Sequence, residues 1–111
     1  MQERDLIAQD SRSETVRVSI DPDLQDLIPG FLQNRRQDIQ TLQKAVVVKD
    51  FETIRMLGHR MRGDGGGYGF ARISEIGCAL EKAALEKHRV DITASVQKLT
   101  DYLDRIEIIY E

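Results

Sequence analysis

The stretch Leu57-Gly58-His59-Arg60-Met61-Arg62-Gly63-Asp64-Gly65-Gly66-Gly67-Tyr68-Gly69-Phe70 constrains this chain more than any other. It holds one histidine, two arginines close by and six glycines, inside a region whose apolar spacing is helical. Glycine costs roughly 1 kcal/mol against alanine in a helix interior. A cluster of glycines beside a histidine therefore needs a compensating role, and leaving room for another surface to approach is one.

At 111 residues the chain is long enough for one core with little to spare. Few aromatics, no Trp, two Pro and an abundance of Leu, Ile, Gln, Glu, Lys and Arg favour an all-helical fold. A net charge of −3 without a basic run argues against a nucleic-acid partner. Cys78 is alone, which excludes an internal disulfide. The start lacks the apolar run of a secretory signal, and no stretch approaches the length of a membrane span. The expectation is a cytoplasmic domain with no membrane partner.

Residues Met1 to Thr15 are polar apart from Leu6, Ile7 and Ala8, and read as a mobile arm or linker remnant. Val16, Val18 and Ile20 alternate with polar residues, suggesting a short extended segment laid on the rest. The expected division is 1–19 as arm and extended segment, and 20–111 as the helical domain. Asp21-Pro22-Asp23 marks a helix start: Asp21 can cap, Pro22 suits the first turn and Asp23 complements the dipole. Leu24, Leu27 and Ile28 make a short amphipathic turn before Pro29-Gly30 bends or restarts the helix.

The next helix carries Phe31, Leu32, Ile39, Leu42, Ala45 and Val46 on one side, with Gln33, Arg36, Gln37, Gln40 and Lys44 opposite. Asp50 caps another from Phe51 to about Gly67. A fourth, Phe70 to Lys87, buries Phe70, Ile73, Ile76, Gly77, Leu80, Ala83 and Ala84. A fifth opens near Asp91 with Ile92, Val96, Leu99, Leu103, Ile106 and Tyr110 as its stripe. Four amphipathic helices with short connections predict an all-α antiparallel four-helix bundle with a short extra N-terminal helix.

At about 100° per residue, with Phe51 at zero, the apolar side chains Phe51, Ile54, Leu57, Met61 and Tyr68 fall in an arc centred at about 280°. His59 lies at about 80°, nearly opposite. A lone histidine on a helix is commonly a hydrogen-bonded core side chain, and the wheel rejects that here. Most surface histidines do nothing, but three details set this one apart. Gly63 and Gly66 follow on its own face and remove flanking side chains. Arg55 and Arg62 bring positive charge from either side. Gly65 falls on the core side, where it permits close helix approach. An exposed imidazole in a cleared, electropositive setting suits a phosphoryl acceptor, because a neutral imidazole nitrogen is a competent nucleophile near neutral pH. Phosphoryl transfer depends more on positioning and charge stabilisation than on elaborate covalent chemistry.

With these residues in view, the chain resembles the histidine-containing phosphotransfer (HPt) domains of multistep phosphorelays. Their pattern has the phosphorylated His, Lys or Arg three residues on, Gly at the fourth, small residues next and Gly at the tenth. His59, Arg62, Gly63, Gly65 and Gly69 match it, and Ile73, Ile76 and Leu80-Glu81 look like the family's next helix. The resemblance covers Ile20 to Tyr110. It implies a monomeric bundle in which His59 takes a phosphoryl group from the aspartate of one response-regulator receiver domain and hands it to another. A hybrid sensor histidine kinase would stand upstream. It also implies that Arg62 supports the phosphate charge and that the receiver supplies Mg²⁺, the domain having no cofactor, no metal site and no autonomous kinase activity of its own. Arg55, Met56, Arg60, Gly63 and Gly66 are the candidate docking residues. Arg62 replaces the more usual Lys, which alters contact geometry. Asp64 replaces a small residue and points to the core flank at about 220°, where a salt bridge or helix-end contact is expected.

Other constellations are weaker. No GxGxxG spacing or Gly-Lys-Ser/Thr follows, which argues against a nucleotide loop. His59 has Arg62 and Gly63 where a second metal ligand would stand. His88 reads as solvated and Cys78 as packed. Glu81, Lys82, Glu86 and Lys87 read as ordinary surface charges. A sensor-kinase dimerisation helix usually has an acidic residue directly after its histidine, where this chain has Arg60. A receiver-binding adaptor that relays nothing is the alternative function, and a plain structural bundle the third.

Overall fold

The computed structural model describes residues 14–111. The arm expected over Met1 to Thr15 lies outside the described residues apart from Glu14 and Thr15. Strand β1 (Val16–Ile20) leads into a 3-10 turn (Pro22–Leu27), which is followed by four helices and a second strand. The helices are α1 (Ile28–Val47), α2 (Phe51–Gly67), α3 (Ala71–Leu85) and α4 (Arg89–Arg105), and β2 is Ile106–Tyr110. The connections between helices are three residues each, 48–50, 68–70 and 86–88, and they fold successive helices antiparallel.

Local chemistry sets these boundaries. The Asp21 side chain accepts a hydrogen bond from the Asp23 N–H at 2.9 Å, with Pro22 in the first turn. The short leading helix is thus a 3-10 turn, and α1 restarts at Ile28 with Pro29 in its own first turn, where no N–H is needed. Asp50 caps α2, accepting from the Thr53 N–H at 3.2 Å and from its hydroxyl at 2.6 Å. Gly69 turns the chain into α3 at φ 94°, a conformation that favours glycine.

Each helix buries one stripe. In α1 it is Ile28, Phe31, Arg35, Ile39, Leu42 and Ala45, spaced three or four apart. Ile54, Leu57 and Met61 of α2 meet Ile73, Ile76 and Leu80 of α3 and Ile92, Val96 and Leu99 of α4 in one continuous core. Phe31 stacks on Tyr68 at 4.4 Å and on Phe70 at 5.5 Å, closing the end of the bundle where α2 turns into α3.

The expected fifth helix needs correction. It ends at Arg105, and Ile106–Tyr110 is a strand pairing parallel with β1, Val16 opposite Ile106 and Ile20 opposite Tyr110. Leu103, Ile106 and Tyr110 fit a helical stripe, while Ile106, Ile108 and Tyr110 equally fit an alternating one. The β-branched run and an available partner strand decide for the latter. The alternation at Val16, Val18 and Ile20 correctly marked the other half of this small sheet, whose inner residues rest on the core.

Candidate functional site

The site is built where α2 and α3 touch, and that contact is made by backbone. A Cβ on Gly58 would stand 2.7 Å from the Glu81 nitrogen and 2.8 Å from the Gly77 oxygen. One on Gly77 would stand 2.6 Å from both the Arg62 nitrogen and the Gly58 oxygen. Real Cβ atoms do not come so close, so the two helices approach only because both positions are glycine. Gly65 repeats the device one layer down, where a Cβ would meet the Ser74 nitrogen at 2.6 Å. Gly65 therefore plays the part expected from the wheel; Gly58 and Gly77 add a closer contact beside the histidine.

His59 follows Gly58 and projects outward, its side chain 59% exposed. Glu81 lies one turn beyond Gly77 on α3, its side chain only 15% exposed. The approach of the helices sets Glu81 Oε2 at 3.0 Å from His59 Nδ1. The other carboxylate oxygen, Oε1, stands 3.3 Å from Arg62 Nη1. A carboxylate only accepts, so in the neutral ring Nδ1 carries the proton and donates it to Glu81. Arg62 Nη2 also lies 3.3 Å from Nδ1, but that nitrogen has no lone pair left for it. The lone pair is therefore on Nε2.

Glu81, read from sequence as an ordinary surface charge, is thus the residue that orients the histidine. Its signal was indirect: a glycine on each helix, Gly58 and Gly77, each next to or one turn from a polar group. Cys78 also departs from expectation and is exposed, bordering a cleft with Arg62, Glu81 and Leu85. His88 is exposed as expected and pairs with Asp91 at 2.9 Å.

The remaining candidates divide between two sides of α2. Arg55 is half-buried and held by Glu52 through contacts of 3.1 and 2.6 Å, which keep the Glu52 carboxyl below its ordinary value. Met56 is 48% exposed. Gly63 faces open space, since a Cβ there would meet nothing within 4 Å. Gly66 is exposed but leans toward α3, its N–H donating to Ser74 Oγ at 2.7 Å. Arg60 stands apart, lining a cleft toward α1 with Phe31, Asn34, Arg35, Asp64 and Tyr68.

Asp64 points away from His59, as the wheel placed it. Of the two contacts expected for it, the salt bridge is not made among the described residues, while the helix-end contact is, the Asp64 carbonyl accepting from the Tyr68 N–H at 3.2 Å. Below that cleft Arg35 is buried, its Nε donating to Asp38 at 2.9 Å and its guanidinium lying over the Phe31 ring at 4.8 Å. Burial pushes the Asp38 carboxyl above its ordinary value, against the pull of Arg35.

His59 is thus a half-exposed histidine with Nδ1 pinned by Glu81, on a face cleared by glycine. The family model of the Hpt domain matches residues 26–108, three quarters of the chain and all of this site. The chain belongs to the Hpt domain family. Hpt domains perform histidine phosphotransfer in phosphorelays, typically with receiver domains and kinases, and histidine phosphotransfer is the general function of this chain. Comparison with curated proteins and with solved structures gives no match. Among the described residues of this Hpt domain, no three His, Cys, Asp or Glu side chains gather as a metal site would require. No helix among them is long and apolar enough to cross a membrane.

Proposed function

We propose that His59 is the phosphoryl acceptor of this domain and that it relays the group between the aspartates of two receiver domains. The observation that carries this reading is the contact of Glu81 with Nδ1, which leaves Nε2 as the free nucleophile on an open face. In the transfer, the Nε2 lone pair forms the N–P bond while the O–P bond of the receiver's phosphoaspartate breaks. The electron pair of that bond leaves with the aspartate carboxylate. The Nδ1 proton stays in place, the ring becomes cationic, and the Glu81 carboxylate beside it stabilises that charge. Handing on to a second receiver is the same step reversed.

Arg62 supports the phosphoryl charge. Gly63 and Gly66 leave the face clear for a receiver, which docks on Arg55 and Met56 along α2 and on Arg60 at its edge. Mg²⁺ belongs to the receiver, where it offsets charge on the phosphoryl oxygens. The domain acts as a monomer, and a hybrid sensor histidine kinase is the source of the phosphoryl group.

The test mixes the chain with Mg²⁺ and a receiver phosphorylated on its aspartate. Acid-labile, base-stable label should appear on the wild-type chain, be absent from His59→Gln, and pass to a second receiver. No label from any cognate receiver would overturn the relay, and labelling of His59→Gln would overturn the site. Receiver binding without transfer would instead describe an adaptor.

A further inference from the structure

We propose that Arg62 changes partner when His59 is phosphorylated, leaving Glu81 for the phosphoryl group, so that the Arg62–Glu81 pair opposes phosphorylation. This rests on His59 being the acceptor. The guanidinium lies on the wrong side of the ring for its task. Nη1 is 3.3 Å from Glu81 Oε1 and Nη2 is 3.3 Å from Nδ1, whereas the lone pair that takes the phosphoryl group is on Nε2. Arg62 therefore has to move before it can touch a phosphoryl oxygen.

The two partners differ in freedom. Glu81 is 15% exposed and rides on the Gly58–Gly77 backbone contact, so it is fixed. Arg62 is 50% exposed on a long stem, beside the open space at Gly63, so it is the one that moves. The phosphoryl group brings nearly two negative charges against the carboxylate's one, with oxygens spaced for two parallel guanidinium hydrogen bonds. Glu81 meanwhile keeps the Nδ1 proton of the ring, which has become cationic. No further reactant is needed: one ion pair is exchanged for another.

The experiment is a double-mutant cycle read on the equilibrium ratio of phosphorylated domain to phosphorylated receiver, with Mg²⁺ present. Glu81→Gln keeps an oxygen that accepts from Nδ1 but removes the charge; Arg62→Gln removes the cation. Effects of Glu81 on the ring itself appear in both arginine backgrounds and cancel. If the pair exists only before phosphorylation, Glu81→Gln should favour the phosphorylated domain about three- to fivefold more with Arg62 present than with Gln at that position, the range for a pair partly open to water. An equal effect in both backgrounds, or one of the opposite sign, would overturn the exchange. Should Arg62→Gln lose acceptor function outright, guanidinium ¹⁵N signals decide in the wild type. The Arg62 signals must shift on phosphorylation by more than those of Arg55, which stays on Glu52; unshifted Arg62 signals would contradict the proposal. A wild-type chain that takes no label at all would defeat the acceptor reading itself, a result distinct from labelling without coupling.

Discussion

The two sides of α2 are assembled on opposite principles. Toward α3 it presents Gly58 and Gly65 and meets Gly77 and Ser74, so that backbones touch along the edge of the core shared by Ile54, Leu57 and Met61 with Ile73, Ile76 and Leu80. Toward α1 the connection that leaves its C-terminal end supplies Tyr68 and Phe70 to an aromatic stack on Phe31, beside the buried Arg35 and its half-buried partner Asp38. Bulky packing stabilises but tolerates small adjustments, as side chains find new rotamers. Two backbones in contact have nowhere to go. The aromatic side holds the bundle together; the glycine side fixes the distance between a histidine and a carboxylate.

The contrast can be broken from the stabilising side first. Arg35→Ala removes a buried side chain and leaves the half-buried Asp38 without its partner, and should cost about 3 kcal/mol in urea unfolding, the low end for breaking a buried pair. Phosphotransfer per folded molecule should stay near wild type, since neither residue touches His59. Gly77→Ala should cost less, about 2 kcal/mol, as overpacking is partly offset by better helix propensity. It should nevertheless slow phosphotransfer more than Arg35→Ala does, because it pushes Glu81 away from the ring. If the two variants rank alike in stability and transfer, the division of labour is wrong.

The same chemical change should have the opposite sign where there is space. Gly63→Ala meets nothing within 4 Å and should stabilise the fold by up to about 1 kcal/mol. Receiver affinity should fall if that face is the docking surface, which titration of a receiver into both proteins would measure.

The smallest effect concerns pH. Burial raises the Asp38 carboxyl, so the folded chain holds that proton more tightly than the unfolded chain. Its contribution to stability therefore declines as pH rises through the interval just above the ordinary aspartate range. Asp38→Asn removes this dependence, and wild type should lose ground to the variant across that interval. At the start of α2 the sign reverses: hydrogen bonds from the Thr53 hydroxyl and N–H lower Asp50, whose contribution is lost as pH falls. A wild-type advantage over Asp38→Asn that grew with pH would contradict the first assignment.

Much of this architecture is legible in the sequence, for reasons that are local. Asp21 and Asp50 act as caps, Gly69 takes a positive φ, and the wheel turns His59 outward and Gly65 inward. Each depends on residues within one or two turns of itself. The failures required knowledge of a distant neighbour. Ile106–Tyr110 became a strand because β1, far away in sequence, offered it hydrogen bonds. Arg35 lies on the buried stripe of α1, yet only the position of Asp38 and the Phe31 ring explains a charge there. Glu81 has the spacing of a surface residue on α3, and its contact with His59 exists only because two glycines on different helices let the backbones meet. Cys78 sits beside that same contact and stays exposed.

With His59 as the proposed acceptor, this glycine contact, acting through Glu81, selects the nitrogen that reacts. Long-range ¹⁵N–³¹P coupling in the phosphorylated, histidine-labelled protein reads that nitrogen directly. The phosphoryl group should stand on Nε2, with the proton retained on Nδ1; phosphorylation on Nδ1 would overturn the assignment of Glu81.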